Sequence, residues 1–380
     1  MRIFNLVKNL KIKNFPLVNS ITELPDIVIV KNNHKKLYEI SLNFTTISIG
    51  KTNLKTVDYV FEDEKSLNEF LEEFSKKGIR QRLIEFYNRF YNLSGLEPAN
   101  VNFVCYLGET TEIYKKLENI LNSPYNPWVL IYGQRGVGKL TILKSILKDK
   151  LIDYFEIEEK PIGFKAKSNK GEEIILLNID LFENELELNI AINELYKREY
   201  RIIFITDKIN PPSNLSTVPS IYIPSISERN NKEKLLILEH FLRKISKDII
   251  EIEEDFYKAY LIYPWFGNFS EIENAIKYAL SLDSKVLKFE NLPFHIKSQF
   301  DENYNLKVAD YFSKLMVLNF KDVSYEELKF LIGQEFINII YFLYEIFDND
   351  IDKLIESLKI EKKSDINEIK KFLGIPSDQK

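Results

Sequence analysis

The chain has 380 residues, 45% hydrophobic and 29% charged, with a formal net charge of −5. That length accommodates two or three domains with cores of their own. No apolar stretch approaches the roughly 20 residues of a membrane helix. The opening MRIFNLVKNLKIKNF is too charged and interrupted for a secretory signal. The single cysteine, Cys105, excludes an internal disulfide, and a reducing cytoplasm is the expected compartment. With three histidines and one cysteine, no metal site is expected. Nine basic residues are arginine, the last being Arg243. Everything beyond it relies on lysine, which lacks the planar fork for reading guanine or clamping phosphate.

Residues 1–77 read as a small α/β unit. PDIVIV (25–30), TTISIG (45–50) and DYVF (58–61) are short strand candidates, and 64–77 has helical spacing. Residues 78–100 are a helical linker, with Ile79, Leu83, Phe86, Phe90 and Tyr91 on one apolar stripe. That stripe either pairs two chains or packs on its own domain.

Residues 101–228 change character. A helix over 111–121 leads to the apolar run 128–132, then GQRGVGK (133–139), then a helical pattern over 140–148. Strand, glycine loop and helix form the context in which a phosphate-binding loop is credible. Gly133, Gly136 and Gly138 permit the tight turn, Val137 sits between them, and Lys139 reaches terminal phosphates. The position after the lysine, where a Ser or Thr hydroxyl would hold magnesium, is Leu140, with Thr141 one place late. Strands at 173–178 and 201–206, separated by a helical run over 184–197, predict a mostly parallel sheet with the loop at its carboxyl edge. The stretch 161–171, PIGFKAKSNKG, reads as a polar turn. Residues 229–300 read as a helical lid. The remainder, 305–380, is helical and acidic, with 11 Lys against 16 Asp plus Glu from Asp301 onward.

Three stretches together resemble the NtrC-like, sigma-54-dependent enhancer-binding activators of the AAA+ ATPases. They are GETTEIYKKLENILNSPYNPWVLIYGQRGVGKLTILKSI (108–146), IYIPSISERNNKEKLLILEHFL (221–242) and YPWFGNFSEIENAIKYAL (263–280), followed by ENLPFHI (290–296). The resemblance implies an α/β chain: a truncated receiver-like domain, an AAA+ phosphate-loop core with a helical lid, and a C-terminal Fis-like helix-turn-helix over 335–375. It further implies ATP or ADP as ligand, and association with DNA, with itself or with related AAA+ subunits. No membrane partner is expected.

The departures from that family's pattern imply a degenerate member. Aligned on IILLNIDLF, Asn178 stands at the magnesium aspartate and Ile179 at the catalytic glutamate. Asp180 is a possible rescue, placed on Asn178's face if the strand continues. Asp207 falls where a polar residue would sense the γ-phosphate, and its carboxylate would repel it. Ser270 replaces the lid arginine, and no arginine lies between Arg201 and Arg229. Arg229 reads as an exposed structural residue as readily as a catalytic one. An arginine finger accounts for about 10³–10⁵ in rate, so no catalytic residue is assigned and a pseudo-ATPase is the expectation. A slow ATPase active in mixed rings and a nucleotide-free scaffold are the alternatives. Magnesium is not expected to be retained. The family's GAFTGA segment is missing, so contact with RNA polymerase is not expected.

The flanks tell the same story. Lys31 stands at the phosphoacceptor position and Glu62 at that of the phosphoryl-contacting lysine, either as an ion pair or as neutral surface residues. DNA binding would rest on Lys362, Lys363, Ser364, Asn367, Lys370 and Lys371. The nearby Glu361, Asp365 and Glu368 fit equally well a docking module that no longer binds DNA.

Overall fold

The computed structural model describes residues 1–7, 10–18, 25–94, 109–123, 125, 128–147, 151–157, 160–167, 173–197, 200–208, 215–246, 248, 250–300, 340, 344, 350–358, 360, 362–373 and 375. Cys105 and most of the segment 305–349 lie outside them. No helix among the described residues is long and apolar enough to cross a membrane.

The N-terminal unit is a parallel sheet of β1 (Ile3–Asn5), β2 (Ile27–Lys31), β3 (Thr46–Ile49) and β4 (Tyr59–Phe61), in that spatial order. A one-residue parallel bridge from Leu17 to Ile3 extends the sheet beyond β1. Counting Leu17 as a vestigial second strand gives the order 2-1-3-4-5, that of flavodoxin-like doubly wound sheets. Strand periodicity divides the sheet residues between two cores. Ile27, Ile29 and Ile47 meet Leu67, Leu71 and Phe74 of helix α2 (Glu64–Ser75). Val28 and Val30 face helix α1 (Leu37–Asn43) and the cluster that continues into the lid.

Helix α3 (Ile79–Ser94) carries the apolar stripe. Among the described residues it packs within the chain, placing Leu83, Phe86, Tyr87 and Phe90 against the lid. The Arg80–Glu239 ion pair is sealed into that contact, with side chains 5% and 0% exposed.

The central sheet has six strands: β5 (Val129–Tyr132), β6 (Leu151–Ile157), β7 (Lys160–Lys167), β8 (Glu173–Asn178), β9 (Arg201–Thr206) and β10 (Ser220–Tyr222), in the order β10-β5-β9-β8-β7-β6. Its four phosphate-loop-side strands are parallel, and β7 runs antiparallel to both neighbours. The expected polar turn at 161–171 is therefore corrected, because 160–167 forms a strand paired with β8. The parallel strands read as continuous apolar runs because both faces are covered. Val129, Ile131, Leu176 and Ile203 meet α4 (Glu109–Leu121) and α5 (Lys139–Leu147). Leu130, Ile175, Leu177 and Phe204 meet α6 (Glu185–Lys197). Arg201 fixes α4 to the sheet by donating to the carbonyls of Leu121 (2.8 Å) and Ile120 (2.6 Å), which a helix C-terminus leaves without intrahelical partners.

The lid comprises α7 (Asn231–Ile245), α8 (Glu254–Ile262), α9 (Asn268–Leu282) and α10 (Phe294–Lys297). A two-stranded parallel pair, β11 (Glu251–Ile252) with β12 (Val286–Leu287), interrupts the helices. Near the C-terminus lie α11 (Ile351–Ser357) and α12 (Lys363–Phe372), with Leu354, Leu358 and Ile369 buried.

Candidate functional site

The strand β5 delivers the chain into three glycines with left-handed backbone: Gly133 (φ 148°), Gly136 (φ 81°) and Gly138 (φ 90°). At Gly133 a β-carbon would lie 2.4 Å from the carbonyl of Ile223, and at Gly136 one would lie 2.9 Å from that of Gly267. The first contact seats the loop on the chain leaving β10, and the second seats it on the lid.

The lid half of that contact is built by the WFGN turn. Trp265, 1% exposed, donates its indole N–H to the carbonyl of Tyr260 at 2.8 Å. Trp265 and Asn268 both take positive φ, 52° and 53°. The turn thereby aims Asn268 at the loop, where Nδ2 donates to the carbonyl of Arg135 (3.0 Å) while Oδ1 accepts from the amide of Ile226 (2.9 Å). The amide of Phe269 donates to the carbonyl of Gly136 at 3.2 Å. Arg229 joins the same junction. It is buried, ion-paired with Glu233 at 2.8 Å, and donates to the carbonyls of Val137 and Pro224. The expectation that it is exposed is corrected. Arg229 stands in extended backbone just before α7, and Glu233 of the helix's first turn reaches back to it, which lets the guanidinium be buried.

Between loop, α5, α7 and α9 lies a cavity of about 490 Å³. The phosphate-loop residues Gly136, Gly138, Lys139, Leu140 and Thr141 line it together with Asn178, Asp207 and Ser270. The lid adds Ile237, His240, Phe241, Lys244, Phe269 and Glu273. Sequence reasoning missed His240, Lys244 and Glu273, because their approach depends on how the lid folds over. Burial pushes the His240 imidazole below its ordinary value and Lys244 pushes it further, against the opposing pull of Glu273. Lys244 itself pairs with Glu273 at 3.1 Å.

Of the remaining predicted residues, Val137 is buried beneath the loop and Ile179 is buried beneath the sheet's edge. The strand β8 ends at Asn178, whose side chain accepts the amide of Asp180 at 3.1 Å and turns the chain into a single 3₁₀ turn, Ile179–Leu181. The expectation that Asp180 shares Asn178's strand face is thus corrected. Its carboxylate accepts the hydroxyl of Thr206 (2.7 Å) and the amide of Asp207 (2.6 Å). Asp207 in turn ion-pairs with Lys139 at 2.6 Å.

Size and lining both fit a nucleotide. Small-ligand sites span about 300–1,000 Å³, the glycines and Lys139 suit phosphates, and Ile237, Phe241 and Phe269 offer apolar surface to a base. No group of three or more His, Cys, Asp or Glu able to hold a metal occurs among the described residues. The core is a phosphate-loop α/β fold with a helical lid.

No protein-family model matches the chain. It is 27% identical over 271 residues to a signal-transduction and transcriptional-control protein of Clostridium beijerinckii, a match covering 56% of this chain and 42% of that protein. The chain thus spans less than half the length of that relative. Among solved structures it is similar to NtrX from Brucella abortus, at 12% identity and TM-score 0.44, covering 98% of each chain. The ATP complex of the same NtrX matches at 13% identity and TM-score 0.45, over 92% of this chain and 90% of that one. AMPPCP-bound DnaA from Aquifex aeolicus matches at 16% identity and TM-score 0.35, over 72% and 97%.

In the N-terminal unit, Glu62 meets Lys51 at 3.5 Å with both side chains exposed, so of the two alternatives the Lys31–Glu62 pair is not formed. Lys31 ends β2 exposed to solvent. On α12, Ser364, Asn367 and Lys371 share one exposed face, Lys370 is half-buried, and Lys362 is the exposed residue before the helix. Lys363 is the first residue of the helix, and its side chain lies outside the described ones.

Proposed function

We propose that the protein is a degenerate NtrC-like AAA+ regulator whose core holds ATP or ADP between phosphate loop and lid without hydrolysing it. It acts by association, with DNA through 349–375 or with AAA+ subunits, its own copies included. The observation that carries the reading is the carboxyl edge of β8. Hydrolysis in this fold needs one acid to hold magnesium and another to polarise water. Here the cavity meets the neutral Asn178, Ile179 is apolar and buried, and both oxygens of Asp180 are engaged by the end of β9. Asp207 is tied to Lys139 and Arg229 to Glu233. Lys139 and the loop glycines would hold the phosphates, and the lid's apolar side chains the base. The likeness to a transcriptional-control protein supports the regulatory role. Contact with RNA polymerase is not expected of this core, where residues 160–167 form a strand of the central sheet.

Calorimetric titration of the full chain with ATP and magnesium, with phosphate release assayed in the same sample, tests the reading. Binding without release is the expected result. Release that disappears in Lys139→Ala would establish the slow ATPase instead. No heat in either protein would leave a scaffold with an idle loop.

A further inference from the structure

An ammonium group has three N–H donors, and Lys139 directs them to the carbonyl of Gly133 (2.7 Å), the carbonyl of Gln134 (3.0 Å) and Oδ1 of Asp207 (2.6 Å). The lysine side chain is 6% exposed and that of Asp207 48%, so the carboxylate is the partner on the open side. A phosphate approaching this lysine must push the carboxylate aside or settle next to it. The backbone of Asp207 is anchored at this place, since its amide donates to Asp180, whose other oxygen accepts the hydroxyl of Thr206.

The charges of the lining nearly balance, three lysines against two carboxylates. Lys139, Lys144 and Lys244 face Asp207 and Glu273, and Lys244 is already paired with Glu273. Ser270 contributes no charge, and Asn178 and Leu140 offer no anionic or hydroxyl ligand that would bring in a divalent cation. Each further phosphate therefore adds negative charge where Lys139 is already neutralised.

Building on the nucleotide reading above, we infer that the site selects nucleoside diphosphates over triphosphates. The Asp207 carboxylate occupies the place beside Lys139 that a terminal phosphate would take, and Asp180 is its positioning residue. Like charges at contact distance in an effective dielectric of about 20 correspond to a preference of about 10³-fold, which solvent screening of the half-exposed Asp207 side chain reduces to about 10- to 100-fold.

The test is calorimetry on the full chain with ADP and with ATP, each with and without magnesium. The wild type should bind ADP at least about tenfold more tightly than ATP. Asp207→Asn, nearly isosteric and at an exposed position, should tighten ATP at least about tenfold and leave ADP within about threefold. Asp180→Asn should move the ADP-to-ATP ratio the same way by a smaller factor, a change that loss of fold alone would not give. Equal affinity of the wild type for both nucleotides overturns the selectivity and leaves the nucleotide reading standing. ATP binding that needs magnesium and is lost in Asp207→Asn makes Asp207 a metal ligand and also overturns it. Absence of binding by either nucleotide to both proteins overturns the two readings together.

Discussion

Asn268 of the lid donates from Nδ2 to the carbonyl of Arg135 in the phosphate loop at 3.0 Å, across 133 positions of sequence. The residue is fully buried, and its other side-chain atom accepts from Ile226. One amide thus ties together the loop, the segment entering the lid, and α9.

Asn268→Ala should cost about 2–4 kcal/mol, from two lost buried hydrogen bonds and an alanine forced to positive φ. Urea unfolding monitored at Trp265 measures it. Asn268→Gly, which tolerates the backbone conformation, should recover about 1 kcal/mol of that loss.

Gly133→Ala should destabilise the core by more than about 3 kcal/mol, because a backbone carbonyl sits where the new methyl must go. Thermal unfolding reads the effect. A melting temperature within a degree of wild type would show that β10 and the loop can part at little cost.

Asp58 joins three parts of the chain. It accepts from Lys232 of the lid at 2.5 Å, with both side chains 3% exposed, and from Arg89 of α3. Asp58→Ala should cost about 3–5 kcal/mol by leaving the buried Lys232 without its carboxylate. Adding Lys232→Met should restore part of this loss, and a double-mutant cycle on unfolding midpoints gives the coupling.

Lys234 lies in α7 and is 1% exposed, and burial lowers its pKa to about 7. The unfolded chain keeps this lysine protonated up to about 10.4. Between about 7 and that value the unfolded state binds more protons, so stability rises with pH; below about 7 the cost of burying the charge is fully present. Lys234→Met should therefore stabilise by about 1–4 kcal/mol at pH 6. The advantage should shrink steadily from pH 7 to 10. A difference independent of pH would show that the lysine keeps its proton in the fold.

Local signals carried much of the architecture. The phosphate loop, its flanking strand and helix, and the PWFGN turn are contiguous, and the structure brings loop and turn into contact as hydrogen-bonded partners. The pattern of β2 was equally legible, although β1, three residues long, fell below what alternation can reveal. The hairpin β6–β7 was not legible, because a glycine, a proline and several lysines in KPIGFKAK resemble a turn until pairing with β8 supplies partners. Asp180 was misplaced for a local reason. An Asn at the end of a strand can capture the amide two residues on and bend the chain away. The role of α3 depends on α7, about 150 residues later, and no local signal encodes it.

The two sides of α7 do different work. Lys232, Leu236 and Glu239 grip the N-terminal unit and α3, while Ile237, His240, Phe241 and Lys244 border the cavity. The helix is about 22 Å long at 1.5 Å per residue. One helix is thus both a wall of the cavity and, through buried ion pairs, the seat of the N-terminal sheet.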